Sequence, residues 1–267
     1  MPLADLGDVQ INYRLTGPTD APTLVFAHAL GADLAIWDQV IALLTADPAH
    51  SLRILAYDLR GHGGSSVPAP PYSMGALIRD AERLLDHCEI RDCVFVGLSI
   101  GGMVAQGLAV KRLDQIRALV LSNTAAKIAT AEIWQRRMAA VRSGGLAAIS
   151  AETMARWFPA AYRSTGAHSP WQHRFETQQV NGYLGCCAAI AGTDFYTPTS
   201  GLRLPVLGIA GSEDGSTPPD MVRETVDLIP GSRFALVRRS GHVPCIDQPG
   251  PYAERLTHFL REIGHFG

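Results

Sequence analysis

Six short apolar runs recur along the chain, and segments of helical periodicity separate several of them. The runs are Thr23–Ala29 (TLVFAHA), Leu52–Leu59 (LRILAYDL), Cys93–Gly97 (CVFVG), Ala118–Asn123 (ALVLSN), Pro205–Gly211 (PVLGIAG) and Phe234–Arg239 (FALVRR). They are apolar continuously rather than at alternate positions, which predicts strands buried on both faces. Met74–Cys88 and Gly102–Leu113 instead repeat apolar residues at i, i+3 and i+4, as do 219–229 and 251–263, so these are read as helices. Strands alternating with helices predict an α/β chain with a mostly parallel central sheet covered on both faces. The opening stretch Val9–Leu15 (VQINYRL) alternates with a period of two and predicts an antiparallel edge. Between Lys127 and Ser200 no strand pattern occurs, and EIWQRRMAAV, AETMARWF and RFETQQVNGYLGCCAAIAG read as helices. That span is too long for a connecting loop. It predicts a helical cap, 127–200, inserted into a core made of 1–126 and 201–267.

The charge distribution sharpens this division. The 267 residues carry a net charge of −2, without the basic excess of a nucleic-acid binder. Residues 127–200 hold seven Lys or Arg against four Asp or Glu, a balance of +3, so the remainder carries −5. A basic cap over a slightly acidic body favours a small anionic substrate. No apolar run reaches the length of about 20 residues that a membrane span needs. The first residues lack the basic start of a secretory signal. Five cysteines (Cys88, Cys93, Cys186, Cys187, Cys245) fit neither a metal spacing nor a secreted framework, so buried free thiols and a cytoplasmic setting are expected.

Candidate chemistry centres on Gly97-Leu98-Ser99-Ile100-Gly101, a G-x-S-x-G placed after a strand and before a helix. A sharp strand-to-helix turn lifts the serine out of the sheet, and side chains two positions away on either side would collide with it. The helix that follows aims its free N–H groups at the same place. A serine needs a base, and the base a carboxylate to orient it. His242 follows the last strand in SGHVPCIDQP, and Asp214 follows the strand before it in GIAGSEDGSTPP, with Glu213 as its neighbouring rival. The end of Ala118–Asn123, another place for the acid, offers Ser122 and Asn123 but no carboxylate. Backbone N–H groups of Ile100 and Leu30 are the expected oxyanion donors. His28 is read as holding the loop that carries Leu30, and YDLRGHGGSS (Tyr57–Ser66) as a structural turn beside the site.

The segments FAHALGADLAIWD, YDLRGHGGSS, GLSIGGMVAQGLA, GIAGSEDGSTPP and SGHVPCIDQP resemble the α/β-hydrolases along nearly the whole chain, in the order Ser, Asp, His. The cap's GYLGCCAAIAGTDF and FPAAYR are similar to those of 3-oxoadipate enol-lactonases of the β-ketoadipate pathway of aromatic catabolism. The usual His-Gly of the oxyanion loop is His28-Ala29 here. The resemblance implies an α/β-hydrolase fold, a serine esterase mechanism without metal or organic cofactor, and a five-membered enol-lactone substrate bearing a carboxymethyl group. The substrate carboxylate calls for a donor from the cap, and Trp134, an apolar wall with an N–H, and Arg137, one helical turn on, are the candidates. Carboxylesterases, cofactor-free perhydrolases and carbon–carbon bond hydrolases share this core and stay open as alternatives. So does a ligand-binding receptor on a hydrolase scaffold, although Ser99, Asp214 and His242 are all present. Ser99, standing where epoxide hydrolases and dehalogenases carry an aspartate, argues against those two.

Overall fold

A computed structural model of the chain describes residues 1–47 and 51–265. Of the expected core, residues 48–50 and 266–267 lie outside the described residues. Eight strands form one sheet: β1 (Leu3–Asp5), β2 (Gln10–Thr16), β3 (Thr23–Ala27), β4 (Arg53–Tyr57), β5 (Cys93–Leu98), β6 (Ile116–Ser122), β7 (Val206–Gly211) and β8 (Arg233–Val237). Their spatial order is β1-β2-β4-β3-β5-β6-β7-β8. β1 with β2 and β2 with β4 pair antiparallel, and every other pairing is parallel. The alternating segment near the N-terminus is thus the antiparallel side, and the continuous apolar runs are the parallel strands. β3, β4, β5 and β7 are buried at every position, which is why they read as unbroken apolar runs.

Helices α1 (Asp38–Leu44), α2 (Met74–His87) and α3 (Ile100–Lys111) connect the first half of the sheet. Ser73 caps α2 by accepting from Ala76 N–H, and Met74, Leu77, Ala81, Leu84 and Leu85 form its buried face. Between β6 and β7 run six helices and, among the described residues, no strand: α4 (Ala131–Gly144), α5 (Ala147–Trp157), α6 (Ala160–Ser164), α7 (Ser169–Glu176), α8 (Val180–Ala191) and α9 (Tyr196–Ser200). α10 (Pro219–Asp227), α11 (Pro244–Asp247) and α12 (Pro249–Glu262) complete the chain. Among the described residues no helix is long and apolar enough to cross a membrane. All five cysteines are free and buried, as expected.

The strand order reverses between β4 and β5 on either side of β3, a topological switch point. In open α/β sheets the crevice beyond the carboxyl ends of the strands at such a point receives ligands. Because β3 to β8 are parallel, the segments following all six emerge on that one side. The sequence-distant residues 28–30, 58–62, 99, 123, 214 and 242 therefore meet there.

Candidate active site

Ser99 stands between β5 and α3 with φ 57° and ψ −118°, outside the regions that non-glycine residues ordinarily occupy. α3 begins at Ile100, directly behind the serine and two residues earlier than its apolar pattern suggests. A Cβ at Gly97 would overlap the backbone of Gly101, and one at Gly101 would overlap Ala27 O of β3, so α3 lies this close to β5 and β3 only because both residues lack side chains. Ser99 N–H donates to Ser122 O (3.0 Å) and the Thr124 hydroxyl to Ser99 O (2.6 Å), which fixes the turn from β6. Strain of this kind persists where surrounding bonds over-determine it.

Asp214 and His242 meet where the loops after β7 and β8 come together. Asp214 Oδ2 lies 2.9 Å from His242 Nδ1 and also accepts from Thr217 Oγ1 (2.9 Å) and Asn123 Nδ2 (2.8 Å). Its Oδ1 accepts the N–H groups of Ser216 (2.7 Å) and Thr217 (3.1 Å). Burial pushes the carboxyl up, but the attraction of His242 and the donated hydrogen bonds outweigh it and hold Asp214 below the usual carboxylate range. The rival Glu213 is exposed, with its N–H bonded to Ser240 O (2.8 Å). The His242 loop is tied on two further sides: Gly241 N–H donates to Asp247 (2.7 Å) and His242 N–H to Trp157 O at the end of α5 (2.8 Å).

Ser99, His242 and Leu30 line one cavity of about 460 Å³, together with Trp134, Arg137, Thr153, Tyr183 and residues of α4 and α5 around them. Among the described residues, the N–H groups of Leu30 and Ile100 have no protein acceptor, whereas that of Gly31 is taken by His62 Nε2 (3.0 Å). His28 donates from Nδ1 to Ala29 O (2.8 Å) and accepts Leu59 N–H at Nε2 (2.9 Å), bolting the Leu30 loop to the turn after β4. Both imidazoles act as acceptors, which requires neutral rings. Burial lowers the pKa of each, and that of His62, beside His28, falls to about 3. Asp58 accepts from Leu34 N–H (2.7 Å), Asn12 (2.6 Å) and Gly64 N–H (2.8 Å). Arg60 pairs with Asp80 of α2 (2.5 Å). Tyr57–Ser66 is therefore bonded into the loop that carries Leu30.

The cap residues divide. Trp134 lines the cavity, but its N–H is donated to Ile128 O (2.6 Å), so it supplies a wall and not the expected free donor. Arg137 bonds through Nε to Tyr183 Oη (2.7 Å) and through a terminal nitrogen to Thr153 Oγ1 (2.8 Å), both neutral groups. Among the described residues it has no carboxylate partner. Lys127, Arg136, Arg156 and Arg174 do, in Asp194, Glu132, Glu152 and Asp33. Of these four acids only Asp33 lies outside 127–200, so the pairing leaves most of that span's +3 in place, and Arg137 lines the cavity with neutral partners.

Sequence reasoning missed the roles of Asn123 and Thr217, which hold the acid, and of Tyr183 and Thr153, which hold Arg137. In the sequence Asn123 reads only as a position without a carboxylate.

Residues 22–249 match the model of the alpha/beta hydrolase fold family. The chain is 34% identical to 3-oxoadipate enol-lactonase 2 of Acinetobacter baylyi over 96% of its length and 95% of that protein. It is 27% identical to a pimeloyl-[acyl-carrier protein] methyl ester esterase of Vibrio vulnificus, over 89% of this chain and 94% of that one. The crystal structure of the enol-lactonase from Burkholderia xenovorans superposes with a TM-score of 0.92 at 31% identity, covering 97% of this chain and all of that one. With the family model spanning most of its length and these relatives matched nearly end to end, the chain belongs to the alpha/beta hydrolase fold family.

Proposed function

We propose that this protein is a carboxylic ester hydrolase that opens a small anionic lactone, 3-oxoadipate enol-lactone to 3-oxoadipate, with Ser99, His242 and Asp214 as its triad. One observation carries the reading: a single cavity joins Ser99 and the Asp214–His242 pair to Arg137, a guanidinium whose partners are neutral. Relatives named as enol-lactonases by sequence and by structure support the lactone. Helices 127–200 act as the cap over a core of 1–126 and 201–267. The buried free thiols fit a cytoplasmic setting.

In this mechanism His242 Nε2 takes the Ser99 hydroxyl proton as Oγ attacks the lactone carbonyl. The N–H groups of Ile100 and Leu30 receive the oxyanion, and the N-terminus of α3 adds its dipole. Asp214 stays ionised, keeps the proton on His242 Nδ1 and stabilises the imidazolium. Collapse breaks the ring C–O bond and expels an enolate, a better leaving group than an alkoxide, which tautomerises to the ketone. His242 then activates water, which releases the acyl group from Ser99. Arg137 holds the substrate carboxylate while Trp134 walls the ring. The steps call for no metal or organic cofactor.

A carboxylesterase acting on larger neutral esters is the second reading, favoured by a cavity roomier than a one-ring lactone needs. Initial rates on the enol-lactone and on p-nitrophenyl acetate separate the two. The lactone reading expects kcat/KM to favour the lactone by about 100-fold or more, since a charged group is matched or missing. Equal values, or a preference for the neutral ester, would point to the carboxylesterase.

A further inference from the structure

Asn123 directly follows β6 with φ 45°, a left-handed backbone conformation, and is fully buried. Its N–H pairs with Ile209 O of β7 (2.8 Å). Its Oδ1 accepts the Ser122 hydroxyl (3.1 Å), which orients the amide so that Nδ2 points the other way. Nδ2 then donates to two acceptors, Asp214 Oδ2 (2.8 Å) and Gly241 O (3.2 Å). One acceptor is the acid on the loop after β7. The other is the carbonyl immediately preceding the base on the loop after β8. A single side chain from a third strand therefore spans both loops.

We propose that Asn123 is a positioning residue of the catalytic machinery, a clamp that sets the Asp214 loop and the His242 loop relative to each other. The inference rests on the reading of Ser99, Asp214 and His242 as the reacting triad. Its physical basis is that one side chain bonds both the acid itself and the carbonyl of the peptide that carries the base, whereas the backbone-rooted ties between the loops, Ser212 N–H to Val237 O (2.9 Å), Arg239 N–H to Ser212 Oγ (2.9 Å) and Glu213 N–H to Ser240 O (2.8 Å), stop short of Asp214 and His242. Gly241 and His242 are otherwise held from below by Asp247 and from the cap by Trp157 O, and neither of these touches the acid. The Thr217 hydroxyl, on the acid's loop, also reaches across to His242 Nδ1 (3.3 Å), but it meets the imidazole and not the backbone that carries it. A Ser–His–Asp system is sensitive to such errors, since a misplacement of about 1 Å can cost about 100-fold in rate. Among the described residues the other charged groups around the pair are Glu213 beside Asp214, Asp247 beneath the base loop, Arg156 packed against Gly215, and Glu152, Arg136 and Arg137 in the cavity wall.

Asn123→Asp is the most direct test, because it keeps the shape and changes the chemistry. A carboxylate in place of Nδ2 would face Asp214, and two carboxylates so close hold an extra proton between them. As that proton leaves, the added negative charge beside His242 favours its imidazolium, so the acid limb of the kcat/KM profile on p-nitrophenyl acetate should move up by about one pH unit. Asn123→Ala should lower kcat about tenfold or more with KM unchanged, because the binding cavity is untouched. Thermal melts identify an Asn123→Ala protein that fails to fold, in which case Asn123→Asp decides alone. A pH profile and kcat equal to those of the native enzyme in Asn123→Asp, or native kcat in a folded Asn123→Ala, would overturn the clamp. Ser99→Ala, run in parallel, separates the two layers: retained turnover there overturns the triad itself, whereas its loss beside a native-like Asn123→Asp overturns the clamp alone.

Discussion

Replacing Arg137 with methionine removes the guanidinium but keeps an unbranched apolar stem in the cavity wall. The structure shows a half-buried charge whose hydrogen-bond partners, Tyr183 and Thr153, are neutral. Two unit charges about 4 Å apart attract by about 4 kcal/mol at an effective dielectric of about 20. Stripping water from the substrate carboxylate and the guanidinium offsets part of that, leaving about 2–3 kcal/mol, the range of hydrogen bonds to charged groups. The corresponding loss in kcat/KM on the enol-lactone is about 30- to 160-fold. A neutral ester such as p-nitrophenyl acetate uses the same triad but offers Arg137 no charge, so its kcat/KM should change by less than about threefold. The substitution also leaves the buried Tyr183 hydroxyl without its partner, a cost of about 1 kcal/mol that a thermal melt reads separately from the kinetics. The assay is the loss of lactone absorbance beside p-nitrophenolate release, with native and variant protein at equal concentration. An equal loss on both substrates would mean that Arg137 supports the fold and not the anion. An unchanged rate on the lactone would refute the role altogether.

Two further perturbations probe the base loop. A Cβ at Gly241 would overlap the Trp157 carbonyl, so Gly241→Ala must push His242 away from α5 and break its 2.8 Å backbone bond. kcat should fall by about 100-fold, while Gly250→Ala, whose Cβ meets nothing within 4 Å, should leave it unchanged. Burial raises Asp247 to about 6 against the hydrogen bonds from Gly241 and Ser240. Its folded-state pKa lies above the unfolded value, so its contribution is full below about pH 4 and is lost as pH rises through about 6. Asp247→Asn should therefore gain stability relative to the native protein between pH 4 and 7, by at most about 3 kcal/mol. Tm measured across that range checks the sign, and a difference that is flat with pH would contradict it.

The sheet was legible because a strand buried on both faces has to be apolar throughout, and Leu24–Ala27 and Val94–Val96 leave no other reading. The cap's helical character was legible for the converse reason, the periodicity of α4, α5 and α8. The meeting of Ser99, Asp214 and His242 at one end of the sheet was legible because each sits just past a strand that the apolar pattern locates. What the sequence hid depends on contacts without a period. Trp134 spends its N–H on Ile128, a loop carbonyl that no helical spacing points to. Arg137 meets Tyr183, 46 residues away, only once α4 and α8 pack. Asn123 was noticed for the carboxylate it lacks, because an amide that bridges two loops acquires that role only when β6, β7 and β8 lie side by side.

The central claim, that Ser99 attacks the substrate, is tested most directly by following enol-lactone absorbance with native protein and with Ser99→Ala of matched Tm. Removing the nucleophile of a serine triad costs about 10⁴-fold or more in kcat, and a loss of that size is the result expected here. Turnover by Ser99→Ala within tenfold of the native rate would contradict the account.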